Sequence, residues 1–147
     1  MRSWEVAYKD IIPAEYIKEK NAGRPALWEK ILSDVNTTQY IIKKDGKTAG
    51  MIGIGSSRDE DTEDDVYELM GLYLLPEYIR QGIGTQAMEF AYDKARGLCK
   101  KNMTVWLLED NINAKIFYET CGFVADGSLR EQSFGKVLNS IRMRRDL

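Results

Sequence analysis

The chain has 147 residues, with 21 Lys and Arg against 23 Asp and Glu and a formal net charge of −2; this length suits one domain around a single core, and this charge speaks against nucleic acid as a main partner. The absence of histidine excludes a Ser-His-Asp triad, a Cys-His pair and any histidine metal site, so acid–base chemistry falls to Asp, Glu, Tyr, Lys, Cys or water. No apolar run reaches membrane-spanning length, the opening Met1-Arg2-Ser3-Trp4-Glu5 lacks the apolar stretch of a signal peptide, and Cys99 and Cys121 form no CxxC pair, which together point to a cytoplasmic domain with no metal and no membrane partner.

The first 36 residues read as helical pieces. Ala7, Ile11 and Ile12 share one face, Pro13 suits the first turn of a new helix, and Leu27, Trp28, Ile31, Leu32 and Val35 recur at helical spacing. From residue 38 the period changes. Residues 38–42 are strand-like, and Asp45-Gly46 signals a hairpin into a second strand over 48–54. The run Asp59-Glu60-Asp61-Thr62-Glu63-Asp64-Asp65 reads as an exposed, solvated loop, with steering of a cationic substrate as the alternative. Residues 66–75 form a further strand, in which Gly71 marks a bulge.

Beyond the glycines at 82 and 84, Ile83, Ala87, Phe90, Ala91, Lys94 and Leu98 follow a helical stripe. Residues 103–108 are a nearly continuous apolar run, as in a buried central strand. Residues 111–120 read as a short helix stopped by Gly122, and the tail as a closing hairpin around Phe134-Gly135-Lys136. In that hairpin Arg142 and Arg144 alternate with Met143 and are expected on a solvated strand face. Helices mixed with hairpins and one strand–helix–strand crossover predict an α+β domain with a mixed sheet.

The segment Arg80-Gln81-Gly82-Ile83-Gly84-Thr85 lies between a strand and a helix. Two glycines one residue apart permit a tight turn, and the helix start adds free N–H groups and the positive end of its dipole, so the segment is built to hold phosphate. Gly82-Ile83-Gly84-Thr85-Gln86-Ala87 also fits the GxGxxA dinucleotide fingerprint, with Glu109 and Asp110 placed to bind a ribose. Two features count against that alternative. Residues 76–81 separate the glycines from their strand, and the Asp45-Gly46 hairpin implies antiparallel pairing where a dinucleotide fold needs parallel strands.

A second motif, Asn111-Ile112-Asn113-Ala114-Lys115-Ile116-Phe117-Tyr118-Glu119-Thr120-Cys121-Gly122-Phe123, follows a helix and a strand later. With the glycine loop and its prelude Leu72-Tyr73-Leu74-Leu75-Pro76-Glu77-Tyr78, it resembles the GNAT superfamily of acetyl-CoA-dependent N-acetyltransferases, over roughly residues 36 to 147. The resemblance implies one domain, with residues 1–36 as a helical acceptor-side segment and 37–147 as a cofactor-binding core built on a mostly antiparallel sheet flanked by helices. Two departures stand out: Ile79 occupies the place usually held by Arg or Gln, with Arg80 one position later, and the strand that usually precedes the first helix is missing. A missing strand exposes a sheet edge and favours a homodimer.

The resemblance also implies roles. The N–H groups of Arg80, Gln81, Gly82, Ile83, Gly84 and Thr85 bind the pyrophosphate of acetyl-CoA. Leu72, Tyr73 and Leu74 pair through their backbone with the pantetheine arm, an amide near Leu72 polarises the thioester carbonyl, and Asn111 contacts the arm while capping its helix. Glu68 serves as general base, directly or through water, toward the ammonium of a small-molecule or peptide acceptor. Tyr118, on one helical face with Asn111 and Ala114, supports the departing thiolate and lies against the cofactor. The implied activity is acetyl transfer to a primary amine in a ternary complex; a CoA-binding sensor of the same fold, without catalysis, is the alternative.

Overall fold

The change of period near residue 37 is where helices give way to a sheet. The computed structural model describes residues 2–147 and runs α1 (Arg2–Tyr8), α2 (Ala14–Ser33), β1 (Thr37–Lys44), β2 (Lys47–Ser56), β3 (Val66–Leu74), a 3-10 turn (Pro76–Tyr78), α3 (Ile83–Gly97), β4 (Asn102–Leu108), α4 (Ile112–Thr120), β5 (Val124–Ser133) and β6 (Val137–Asp146). The six strands lie in the order β1-β2-β3-β4-β6-β5. All neighbours are antiparallel except β3 and β4, which the α3 crossover joins in parallel. This is the expected α+β architecture, a mostly antiparallel sheet flanked by helices. Among the described residues no strand precedes α1, and β1 forms one edge of the sheet.

Local chemistry explains the turns. Asp45 (φ 50°) and Gly46 (φ 75°) both take left-handed conformations, which close the two-residue β1–β2 hairpin with the twist its strands need. Register on β2 and β3 slips between the pairs Gly53–Gly71 and Ile54–Leu69, so the expected bulge falls at Met70 and Gly71.

Strand alternation sorts the side chains onto two faces. Tyr67 and Leu69 of β3, Met103, Val105 and Leu107 of β4, and Ile141 and Met143 of β6 form the main core with α3 and with Tyr118 and Phe123. The inner face of α3 carries Ala87, Ala91 and Ala95 one turn apart, which lets that helix lie close to the sheet. The opposite face is covered by the N-terminal segment, where Ile12 and Ile17 meet Leu108 and Leu138 beside Trp4, Tyr8 and Phe134.

One helical expectation changes. Residues 14–33 form a single helix that continues through Pro25, and of its residues Ile17 is buried. The Leu27–Val35 spacing is helical, yet Leu27 and Leu32 are 51% and 68% exposed and Val35 lies beyond the helix end. Trp28 and Ile31 of the same stripe are half-buried, so the periodicity reports helix while only part of the stripe is covered.

Candidate active site

The site begins with a failure of two parallel strands to stay paired. β3 and β4 are in register through Val66–Asn102, Tyr67–Met103, Glu68–Thr104 and Leu69–Val105. Beyond the bulge β3 continues to Leu74 on β2, and β4 continues to Leu108 on β6, without pairing to each other. The β4-facing backbone groups of Leu72, Tyr73 and Leu74 therefore have no strand partner among the described residues, and an extended ligand can take that place. A bulge is what re-aims a strand in this way.

At one end of the splay lies the glycine loop. Gly82 caps α3 with φ +75°, a conformation glycine adopts freely, and open space surrounds the position of its missing side chain. Arg80 is also left-handed, at φ 58°. The first turn of α3 leaves its N–H groups, those of Ile83, Gly84 and Thr85 among them, without intrahelical acceptors. A Cβ on Gly84 would come within 3.2 Å of the Phe117 ring, so glycine there lets α3 sit against α4. Gln81 is anchored rather than free: its side chain accepts from Lys44 Nζ at 2.6 Å and donates to the Glu77 carbonyl at 2.7 Å. Lys44 thus brings a cation to the phosphate loop from the β1–β2 hairpin, a contact across 37 residues of chain with no local signal for it. These features fit a phosphorylated cosubstrate.

At the other end lie three tyrosines and an asparagine. Asn111 caps α4, its Oδ1 accepting from the Ala114 N–H at 3.2 Å. Tyr118 is buried between Phe117 and Phe123, with ring centroids 5.3 and 5.7 Å away. Burial, reinforced by the nearby phenol of Tyr73, raises its pKa well above the ordinary tyrosine range and keeps it protonated. Tyr73 is raised by burial too, partly offset by a hydrogen bond with Tyr8 and by the charge of Arg24. Tyr8, on α1, is raised by burial and by Tyr73 and Tyr118, and its hydroxyl also bonds the Asn111 side chain. Tyr8 escaped the sequence reading because its partners lie more than 60 residues away along the chain.

Glu68 is placed differently from a free base. Its side chain is 2% exposed, and Arg58 holds both oxygens: Nη2 donates to Oε1 at 2.6 Å, while the backbone N–H and Nε donate to Oε2 at 3.0 and 3.3 Å. The Arg58 side chain is itself 62% exposed. Glu68 and Tyr118 lie on opposite faces of the sheet, with the β3–β4 splay between them.

Glu60, Asp61, Glu63 and Asp64 are exposed, as expected of the acidic run, while Asp59 and Arg142 depart from expectation. Asp59 is 5% exposed and accepts from Trp106 Nε1 (2.8 Å), Arg130 (2.7 Å) and Arg142 (3.0 Å). Arg142 is buried, not solvated, and binds Asp61 through two nitrogens and Asp126 through Nε. The loop is therefore a strap laid across the face of β4 and β6. Alternation correctly placed Arg142 opposite Met143, but that face is covered by carboxylates rather than water.

Between α1, the splay and the β5–β6 hairpin is a cavity of about 160 Å³. Five of its ten lining residues are aromatic: Trp4, Tyr8, Tyr73, Trp106 and Phe134. Its polar pair, Ser140 and Gln132, bond each other at 2.8 Å. Both cysteines are free. Among the described residues there is no group of carboxylates and thiols able to hold a metal ion, and no helix long and apolar enough to cross a membrane.

Comparison with known proteins agrees with this geometry. Residues 4–123 match the model of the Acetyltransferase (GNAT) family. An uncharacterized N-acetyltransferase in the pepI 3′ region of Lactobacillus delbrueckii subsp. lactis is 32% identical over 85 residues, which are 56% of this chain and 49% of that protein; the match thus spans about half the relative's length. The crystal structure of PaiA N-acetyltransferase from Thermoplasma acidophilum in complex with coenzyme A superposes with a TM-score of 0.77 at 20% identity, covering 99% of this chain and 87% of the other. That of a Bacillus anthracis protein in complex with acetyl coenzyme A gives 0.67 at 17% identity, covering 82% and 68%. The family match crosses the whole site, from Trp4 on α1 through the glycine loop to Tyr118, and the chain belongs to the GNAT acetyltransferase family.

Proposed function

We propose that this chain transfers an acetyl group from acetyl-CoA to a primary amine, by direct attack of the amine in a ternary complex. The observation that carries the reading is the β3–β4 splay, an unpaired strand edge with a glycine-rich helix start at one end and the Tyr118 phenol at the other. The N–H groups of residues 80–85 receive the pyrophosphate, with Lys44 adding a cation nearby. Leu72, Tyr73 and Leu74 offer the pantetheine arm a strand to pair with, and Asn111 borders it. An N–H beside Leu72 polarises the thioester carbonyl. Tyr118, kept protonated by burial, donates a hydrogen bond to the sulfur as it leaves. Glu68 takes the proton of the acceptor ammonium once the exposed Arg58 side chain swings away. The acceptor, a small-molecule or peptide amine, enters from the α1 side. Two free cysteines suit a reducing, cytoplasmic setting.

The Arg58–Glu68 pair also favours a second reading, a sensor that binds acetyl-CoA without turning it over. Release of the CoA thiol in the presence of a panel of primary amines separates the two. Amine-dependent release supports the transferase; saturable acetyl-CoA binding with no release toward any amine supports the sensor.

A further inference from the structure

Cations around the cavity are almost all neutralised within the chain. Arg130 lies over the Trp106 ring at 4.1 Å but is paired with Asp59, Arg142 with Asp59, Asp61 and Asp126, and Arg58 with Glu68. Arg24 is different. Its guanidinium sits over the Trp4 ring at 4.5 Å, and its charge reaches the Tyr73 hydroxyl. Trp4 and Tyr73 both line the cavity. Yet Arg24 Nε is buried without a hydrogen-bond partner, and the side chain forms no ion pair among the described residues. One turn earlier on α2, Asn21 Oδ1 is also buried and unpartnered, while its Nδ2 donates to Glu5 at 2.5 Å. A half-buried guanidinium left unpaired is costly unless something else pairs with it.

We propose that Arg24 anchors the carboxylate of the acceptor, and that the acceptor is a small free amino acid whose amine reaches the β3–β4 splay while its carboxylate meets the guanidinium. The inference rests on the transferase reading above. At about 30 Å³ per small group the cavity takes about five non-hydrogen atoms, most of a small amino acid, whose carboxylate must reach past Trp4 to Arg24, which does not itself line the cavity. Charge agrees as well. On the Trp106 side, the guanidiniums of Arg58, Arg130 and Arg142 face the carboxylates of Glu68, Asp59, Asp61 and Asp126, one more negative than positive group, which favours an ammonium there. Arg24 supplies the free positive charge on the α1–α2 side. In the reaction an N–C bond forms to the acetyl carbon and the C–S bond breaks. Of the two protons the ammonium gives up, one ends on the CoA thiol and one passes to solvent.

The test compares L-alanine and L-serine with their C-terminal amides, at equal concentrations of unprotonated amine, by thiol release. The acids are expected to have kcat/KM about tenfold or more above the amides, and Arg24→Gln to erase that preference through KM for the amino acid, leaving KM for acetyl-CoA unchanged. Arg24→Lys, which keeps the charge, should restore part of it. Equal rates for acids and amides in the wild type, equal losses for both in Arg24→Gln, or a raised KM for acetyl-CoA would overturn the assignment. Calorimetry of L-alanine into the protein saturated with CoA keeps the two proposals apart. Binding that depends on Arg24 without any thiol release would uphold the anchor and defeat the transferase reading. Release toward amines that ignores Arg24 would do the reverse.

Discussion

Tyr118 is the residue whose surroundings and proposed role agree most closely. A phenol at the ordinary tyrosine value near 10 already stays protonated at neutral pH; burial against Phe117 and Phe123 holds the proton still more firmly. The sign follows: rising pH removes no activity through Tyr118 until well past the ordinary range. Tyr118→Phe should lower kcat about 10²-fold while leaving the Kd for acetyl-CoA within about twofold of wild type, read by thiol release and calorimetry. Tyr92 makes a matching prediction for stability. It is fully buried, donates to the Cys121 carbonyl at 3.2 Å, and is pushed up to about 12, chiefly by burial. A folded-state value raised above the unfolded one contributes stability that is intact below pH about 10 and is lost as pH rises toward 12. Tyr92→Phe should therefore flatten the alkaline limb of a Tm-against-pH curve; an unaltered limb would remove Tyr92 from that transition. At this scale the sequence was informative where spacing is local. Asn111, Ala114 and Tyr118 lie on one helix, so their common face could be read directly. Tyr8, Lys44, Arg58 and Arg24 acquire their partners only through tertiary contacts, and no local pattern distinguishes them from surface residues.

Among the elements, the acidic segment between β2 and β3 shows how charge pattern and charge environment part company. Alone it is a solvated run of carboxylates. In the fold, Asp59 is buried under Arg142, Arg130 and Trp106, and Arg142 is held above the usual arginine range first by its hydrogen bonds to Asp61. Removing one partner of such a buried group strands the other. Arg142→Ala should cost about 3 kcal/mol and lower Tm by roughly 10 °C, and the effect should persist at high salt because buried pairs are weakly screened. A variant as stable as wild type would mean that the strap is held by something other than this cluster. The hairpin was legible through Asp45-Gly46, because both positions are left-handed, and the bulge through Gly71, where a side chain would meet the Tyr73 ring at 2.8 Å. The stripe of α2 was legible as helix and no further: helical spacing tells where side chains point along their own axis and carries no information on what packs there.

For the molecule as a whole, topology makes the site. A mixed sheet with a single parallel pair has one place where strands start side by side and can diverge, and here the bulge and the α3 crossover both fall at that place. The order of the glycine loop and the Asn111–Phe123 motif along the chain made this fold readable, since those motifs fix the helix and strand between them. The closure of the cavity by α1 and the C-terminal hairpin was not readable, because it depends on contacts between the two ends of the sequence. The dinucleotide alternative required parallel strands before the loop, and β1, β2 and β3 are antiparallel. Calorimetric titration with acetyl-CoA and, separately, with NAD tests the central claim most directly. Acetyl-CoA should bind saturably, one molecule per chain, with no heat from NAD; silence from acetyl-CoA, or binding of NAD alone, would contradict the assignment of the β3–β4 splay as its site.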